Sequence, residues 1–201
     1  MIEIGFKKIE LEDKDLITHY FKHHTSRSCE RTFVNVYLWA RFYHVKFAEV
    51  EHTLVFRTED EDGFSFAYPA GEPENVKKAL DVLMVYSKER GVPFLMYTVT
   101  PDNFEYLEKW YPGRFEIEYV ESDADYVYES EKLATLSGKK LHSKRNHINK
   151  FKIVYADRWS YEPISEDNLE ECVQTGLKWR NENGCEEDEE KNAELCVTLN
   201  S

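Results

Sequence analysis

Three strand-like runs, Val45–Val50, Thr53–Thr58 and Phe64–Tyr68, follow one another with only Glu51-His52 and the charged Glu59-Asp60-Glu61-Asp62-Gly63 between them. Links this short favour antiparallel pairing of neighbouring strands, so the chain is expected to be built on an antiparallel meander. After Pro69-Ala70-Gly71-Glu72-Pro73 the period changes to that of a helix from Glu74 to Arg90. Its inner side is Val76, Ala79, Leu80, Leu83 and Met84, and Gly91 stops it. Pro93–Val99 then reads as a buried strand, and Pro101 opens a short helix through Trp110 with Phe104 and Leu107 inward.

Upstream of the meander, Ile2–Ile9 alternates like a short strand. Glu10–Asp13 introduces a helix carrying Leu16, Ile17, Tyr20 and Phe21 that ends near His23-His24. The polar link Thr25–Glu30 precedes a strongly apolar helix from Arg31 to Tyr43; Arg27 and Glu30 are minor functional candidates there, since loop polar groups mostly satisfy nearby backbone. Downstream, Phe115–Val120, Tyr126–Tyr128 and Trp159–Ile164 are strand-like. A helix beginning at Ser165–Asp167 holds Leu169, Cys172, Val173, Leu177 and Trp179, and the acidic stretch from Glu186 has little periodicity. Residues 2 to 129 thus read β, α, α, β, β, β, α, β, α, β, β, an α/β (α+β) order with a mixed sheet and flanking helices.

With 41% hydrophobic and 14% aromatic residues, the 201-residue chain has ample material for a core. Its net charge of -13 argues against a protein that coats DNA or anionic membrane as a whole. No window is long and apolar enough for a membrane span, and the N-terminus lacks a signal-peptide core; a cytoplasmic protein, at most peripheral to a membrane, is expected. Cys29, Cys172, Cys185 and Cys196 lack zinc spacing, so free thiols and no metal site are expected. The two adjacent histidines at 23 and 24 support no metal claim either, because neighbours on a helix point apart.

Against this acidic background, Ser137–Lys152 reverses the sign. It carries Lys139, Lys140, Lys144, Arg145, Lys150 and Lys152 and no acid. The segment reads as a helix capped by Ser137, with Leu141, Ile148 and Phe151 on one side. Lys139 and Lys140 would then stand at the positive end of the helix dipole, which is unfavourable unless an anion binds. Lys144, Arg145 and Lys152 flank the apolar stripe; Lys139, His147 and Lys150 lie on the outer side. The competing reading is that these side chains lay their aliphatic stems along a core and snorkel outward.

The stretch Asp125–Tyr128 followed by Leu133–Phe151 resembles the hallmark segment of bacterial proteins related to the C-terminal domain of phosphatidylglycerol lysyltransferase. Arg27–Glu30 and Glu182–Glu186 are also similar to that family. The element order likewise looks like a GNAT-type acyltransferase domain. The resemblance implies a tandem GNAT fold of the kind found in FemABX aminoacyltransferases. On this sequence it implies a first GNAT-like domain at 1–130, a basic linker helix at 131–155, and the beginning of an incomplete second GNAT-like domain at 156–201. Two departures stand out. The place of the pyrophosphate loop of CoA-dependent relatives reads Tyr68-Pro69-Ala70-Gly71-Glu72-Pro73-Glu74, with prolines and acids where amide donors are needed, so no CoA cofactor is expected. The second repeat is also short.

The activity implied is aminoacyl transfer from aminoacyl-tRNA to a lipid, peptide or other amine or hydroxyl acceptor. Lys140, Lys144, Arg145 and Lys150 would contact tRNA or a phosphorylated acceptor, with Asn146 and Asn149 as polar partners. The alternative is a non-catalytic anion-binding module for RNA, a lipid headgroup or a phosphorylated metabolite. His142 and His147 are the candidates for a proton shuttle, though solvated histidines are commoner in such a helix; no catalytic residue is assigned.

Overall fold

The computed structural model describes residues 1–22, 28–61, 63–121, 124, 126–184, 188, 191–193, 195 and 197. His23, His24, Arg27, Asp125, Cys185, Glu186 and Cys196, singled out above, lie outside them. The chain forms two compact units, one made of residues 1–119 with 183–201 and the other of residues 120–182.

The first unit is built on a five-stranded mixed sheet in the order β1-β2-β3-β4-β5, comprising β1 (Lys7–Lys8), β2 (Lys46–Val50), β3 (Thr53–Asp60), β4 (Gly63–Ala67) and β5 (Met96–Tyr97). The expected meander is there: β2, β3 and β4 pair antiparallel, with Phe47 opposite Phe56 and Arg57 opposite Phe66. Glu51 and His52 both take positive φ, 49° and 57°, the geometry by which a two-residue hairpin follows the strand twist. Strand β5 joins parallel to β4, Phe66 facing Met96 and Ala67 facing Tyr97, because an intervening helix carries the chain back across the sheet.

That helix is α3 (Pro73–Arg90). Pro73 fills its first turn, where the missing N–H is harmless, and Gly91 closes it at φ 68°. Val76, Ala79, Leu80 and Leu83 are fully or nearly fully buried, as their spacing requires. On the opposite face of the sheet lie α1 (Lys14–Lys22) and α2 (Phe33–Trp39), whose Ile17, Phe21 and Phe33 pack with Leu54 and Phe56. Residues alternate across β3 accordingly: Val55 joins Ala79, Leu83 and Tyr86 beneath α3, while Leu54 and Phe56 join the other layer. Helix α4 (Pro101–Trp110) begins with a Thr100–Asn103 capping box and adds a third cluster of Tyr68, Val76, Leu80, Leu107 and Tyr111.

One buried charge sits in the α3 layer. Arg57 is 8% exposed, its guanidinium carbon 4.4 Å from the centre of the Phe6 ring and Nη1 donating to the Tyr86 hydroxyl at 2.5 Å. Nη2 meets Glu59, and Nε is buried without a partner among the described residues.

The second unit contains α5 (Ser130–Thr135), a short 3-10 turn at Lys139–Leu141, α6 (His142–Val154) and α7 (Leu169–Glu182). Three strand expectations fail, two of them in this unit and one, Phe115–Val120, almost wholly in the first. Phe115–Val120, Tyr126–Tyr128 and Trp159–Ile164 form no ladder with any described residue. Alternation supplies an apolar face, but a strand must also meet a neighbour's free edge in register, and these segments pair with none among the described residues. Ile2–Ile9 is a strand only at Lys7–Lys8; Ile2, Ile4 and Phe6 still turn inward onto the α3 layer. No described helix is long and apolar enough to cross a membrane.

Candidate functional site

The basic segment does not start as its sequence suggests. Ser137 caps nothing; the chain turns at Leu136 (φ 50°) and Gly138 (φ 91°), passes through the 3-10 turn, and α6 begins only at His142. The turn is closed by Arg145, whose Nη1 donates to the Leu136 carbonyl and to the Gly138 carbonyl at 3.0 Å. A guanidinium within the helix therefore closes the preceding turn by donating to its carbonyls, while the first N–H groups of the helix have no side-chain cap among the described residues.

Lys139 and Lys140 thus precede the helix, and His142, Lys144 and Arg145 crowd its positive end with no acidic residue in the first turn. Lys140, Lys144, Asn146, Asn149 and Lys150 are exposed and Arg145 is half-buried. None of Lys139, Lys140, Lys144, Lys150 and Lys152 lies within ion-pair distance of a carboxylate among the described residues. The segment is therefore a row of unneutralised cations.

The apolar stripe is less buried than its spacing suggests. Ile148 is 43% and Phe151 45% exposed, although Phe151 rests on Tyr155 and Trp159 with ring centres 4.9 and 5.6 Å away. His142 is engaged on its own helix, Nδ1 facing Arg145 Nη2 at 3.4 Å and Nε2 facing Asn146 Nδ2 at 3.2 Å. Such a ring is poorly placed to relay a proton; His147 remains exposed.

The first unit holds a second feature, of which sequence reasoning named only Glu30, as a minor candidate. A pocket of about 50 Å³ lies among α2, the end of β5 and the sheet, lined by Arg31, Asn35, Trp39, Tyr43, Tyr97 and Thr98 with Glu30, Val36 and Phe56. Arg31 Nη2 donates to the Tyr68 carbonyl at 2.7 Å, and the Phe21 ring lies 5.8 Å from the guanidinium carbon. Burial pulls the Arg31 pKa below the ordinary arginine value, against the opposing influence of Tyr97, Glu30 and Tyr68. Burial likewise raises the Tyr97 pKa; its hydroxyl pairs with that of Thr58 at 2.8 Å. Only the position of Arg31, on the lip of an apolar helix, marked it in the sequence.

The loop after β4 is packed rather than open. Tyr68 and Ala70 are buried, and Ala70 exchanges both backbone bonds with Leu54, at 2.8 and 2.9 Å. With that amide engaged and Pro69 and Pro73 lacking N–H groups, the loop offers little to a pyrophosphate.

A mixed sheet covered on both faces by helices, carried with a cationic helical segment, defines a protein of the α/β class. Within that class the chain belongs to the family described as phosphatidylglycerol lysyltransferase, C-terminal, whose family model matches residues 21–198. It is similar to a crystal structure of a conserved protein of unknown function from Bacteroides thetaiotaomicron VPI-5482, with a TM-score of 0.88 and 33% identity, covering 97% of this chain and 65% of that one. It is also 32% identical over 90 residues to the uncharacterized protein MYCGA3080 of Mycoplasmoides gallisepticum (strain R(low / passage 15 / clone 2)). That alignment covers 44% of this chain and 29% of the relative. The chain thus spans less than two thirds of the length of either relative.

Proposed function

We propose that the chain serves aminoacyl transfer from aminoacyl-tRNA to an amine or hydroxyl acceptor, gripping an anionic partner with its basic segment. The acceptor's nucleophile would attack the ester carbonyl carbon, the ester C–O bond to tRNA would break, and the released ribose hydroxyl would take up the proton. The ester is already activated, so binding and alignment would supply most of the effect. The observation that carries this reading is the family match over residues 21–198 together with Lys140, Lys144 and Lys150, exposed and paired with no carboxylate among the described residues. Asn146 and Asn149 would add hydrogen bonds, and Arg145 would hold the turn while presenting the rest of its guanidinium. The engaged loop after β4 favours an aminoacyl ester over acyl-CoA as donor. The proposal also keeps the GNAT-like reading of the fold and a location in the cytoplasm or at a membrane surface.

The test is loss of labelled amino acid from charged tRNA in the presence of the chain and candidate phospholipid or peptide acceptors, run alongside tRNA binding over a range of salt. Transfer that fails when Lys144 and Lys150 are changed to Gln supports the reading. Each replacement should also lower the salt slope of tRNA binding by about one. Tight tRNA binding with no transfer to any acceptor would instead identify a non-catalytic module.

A further inference from the structure

We infer that the pocket beside β5 binds a small carboxylate with an apolar body, its carboxylate received by Arg31. This stands apart from the basic segment and does not rest on the transfer reaction.

The guanidinium carries five N–H groups, and the only protein acceptor it meets among the described residues is the Tyr68 carbonyl. No described carboxylate lies within ion-pair distance of it. Arg31 is half-buried at the pocket wall, and the N–H groups left over beyond the Tyr68 bond would be completed by an anion in the pocket. A second incomplete group lies on the same wall. Thr98 Oγ1 is buried with no hydrogen-bond partner among the described residues, and Thr98 itself sits at φ 54°, a region that β-branched residues seldom enter. Strained backbone and an unsatisfied hydroxyl at one cavity are features that binding sites retain.

The remaining walls set the ligand class. Trp39, Tyr43, Val36, Val45 and Phe56 are aromatic or aliphatic, so the body of the ligand is apolar. One guanidinium matches one carboxylate through two parallel N–H bonds, whereas phosphate sites gather several donors. Glu30 also lines the pocket, and its carboxylate would oppose a dianion more than a monoanion. At about 10–15 Å³ for each enclosed water, 50 Å³ admits a carboxylate and a few carbons, with a larger body projecting through the mouth.

The experiment is an NMR titration of the whole chain with acetate, phenylacetate and inorganic phosphate at constant ionic strength. Phenylacetate should shift the amides of Arg31, Asn35 and Thr98 and the indole N–H of Trp39 to saturation, more tightly than acetate, with phosphate leaving them in place. Arg31→Gln should weaken phenylacetate by about tenfold or more, the loss of a charged hydrogen-bonded pair. Because Arg31 also anchors the chain to Tyr68, Trp39→Leu is the second variant; it should weaken phenylacetate but not acetate. Absence of saturable shifts at these residues would overturn the inference, as would phosphate saturating them equally. Shifts confined to residues 139–152 would also overturn it while leaving the proposed role of the basic lysines untouched.

Discussion

Replacing Arg57 with Met, alone and with Tyr86→Phe, measures what a cation is doing inside an aromatic layer. Arg57 and Tyr86 are 8% and 4% exposed and joined at 2.5 Å. Removing the guanidinium alone leaves a buried tyrosine hydroxyl without a partner, a cost of about 1–3 kcal/mol. The lost attraction to the Phe6 ring at 4.4 Å adds about 0.5–2 kcal/mol. The ion pair with Glu59, itself 39% exposed, adds at most about 1 kcal/mol. Met fills much of the same volume and ends the burial of the unpartnered Nε, returning part of this, so Arg57→Met is expected to cost about 1–3 kcal/mol. Tyr86→Phe alone strands an Arg57 N–H instead and should cost about 1–2 kcal/mol. In the double variant neither orphan exists. It should be more stable than the sum of the single effects by about 1–2 kcal/mol, read from urea unfolding followed by far-UV circular dichroism. Additivity within about 0.5 kcal/mol would show that the hydrogen bond contributes nothing and that the arginine is held by packing alone.

Asp13 gives a pH dependence. Burial pushes its carboxyl up, but Lys7 Nζ at 2.6 Å and the Glu10 amide at 3.0 Å outweigh it and hold the pKa below its usual 3.8. A depressed folded-state pKa contributes stability above the unfolded value that is lost as pH falls through the folded one. Asp13→Asn should therefore flatten the acid limb of the stability curve below about pH 4, and an unchanged acid limb would refute the pairing. Gly71→Ala would place a methyl 2.8 Å from Thr53 Cγ2 and 3.3 Å from the His52 carbonyl; thermal unfolding should show a loss of about 1–3 kcal/mol from overpacking. Arg145→Ala should speed amide hydrogen exchange across residues 136–145 by opening the turn at Leu136 and Gly138, while Lys144→Ala should leave that exchange unchanged.

The hairpin at Glu51-His52, the start of α3 to within one residue of Glu74 and its stop at Gly91 were legible because each depends on a few adjacent residues. So was the inward side of α3, whose Val76, Ala79, Leu80 and Leu83 repeat at the helical period. The cation-rich segment from Lys139 to Lys152 was equally plain, since charge is a property of composition. What failed depended either on a pairing strand elsewhere in the chain or on the path the backbone takes between neighbouring segments. Phe115–Val120 has the alternation of a strand but pairs with no strand among the described residues. Ser137 has the chemistry of a cap, but Leu136 and Gly138 turn the chain so that Arg145 takes the carbonyls.

The sequence alone determined local geometry and the placement of charge, because turn residues, helix caps and hydrophobic period act over a handful of positions. Tertiary structure alone decided that Arg57 is enclosed by Phe6, Phe64 and Tyr86, and that Arg31, Trp39 and Thr98 face one cavity. Phe6, Arg57 and Tyr86, like Trp39 and Thr98, are separated by long stretches of chain. Their environment is set by how α2, α3 and β5 pack on the sheet, which no short window of residues encodes.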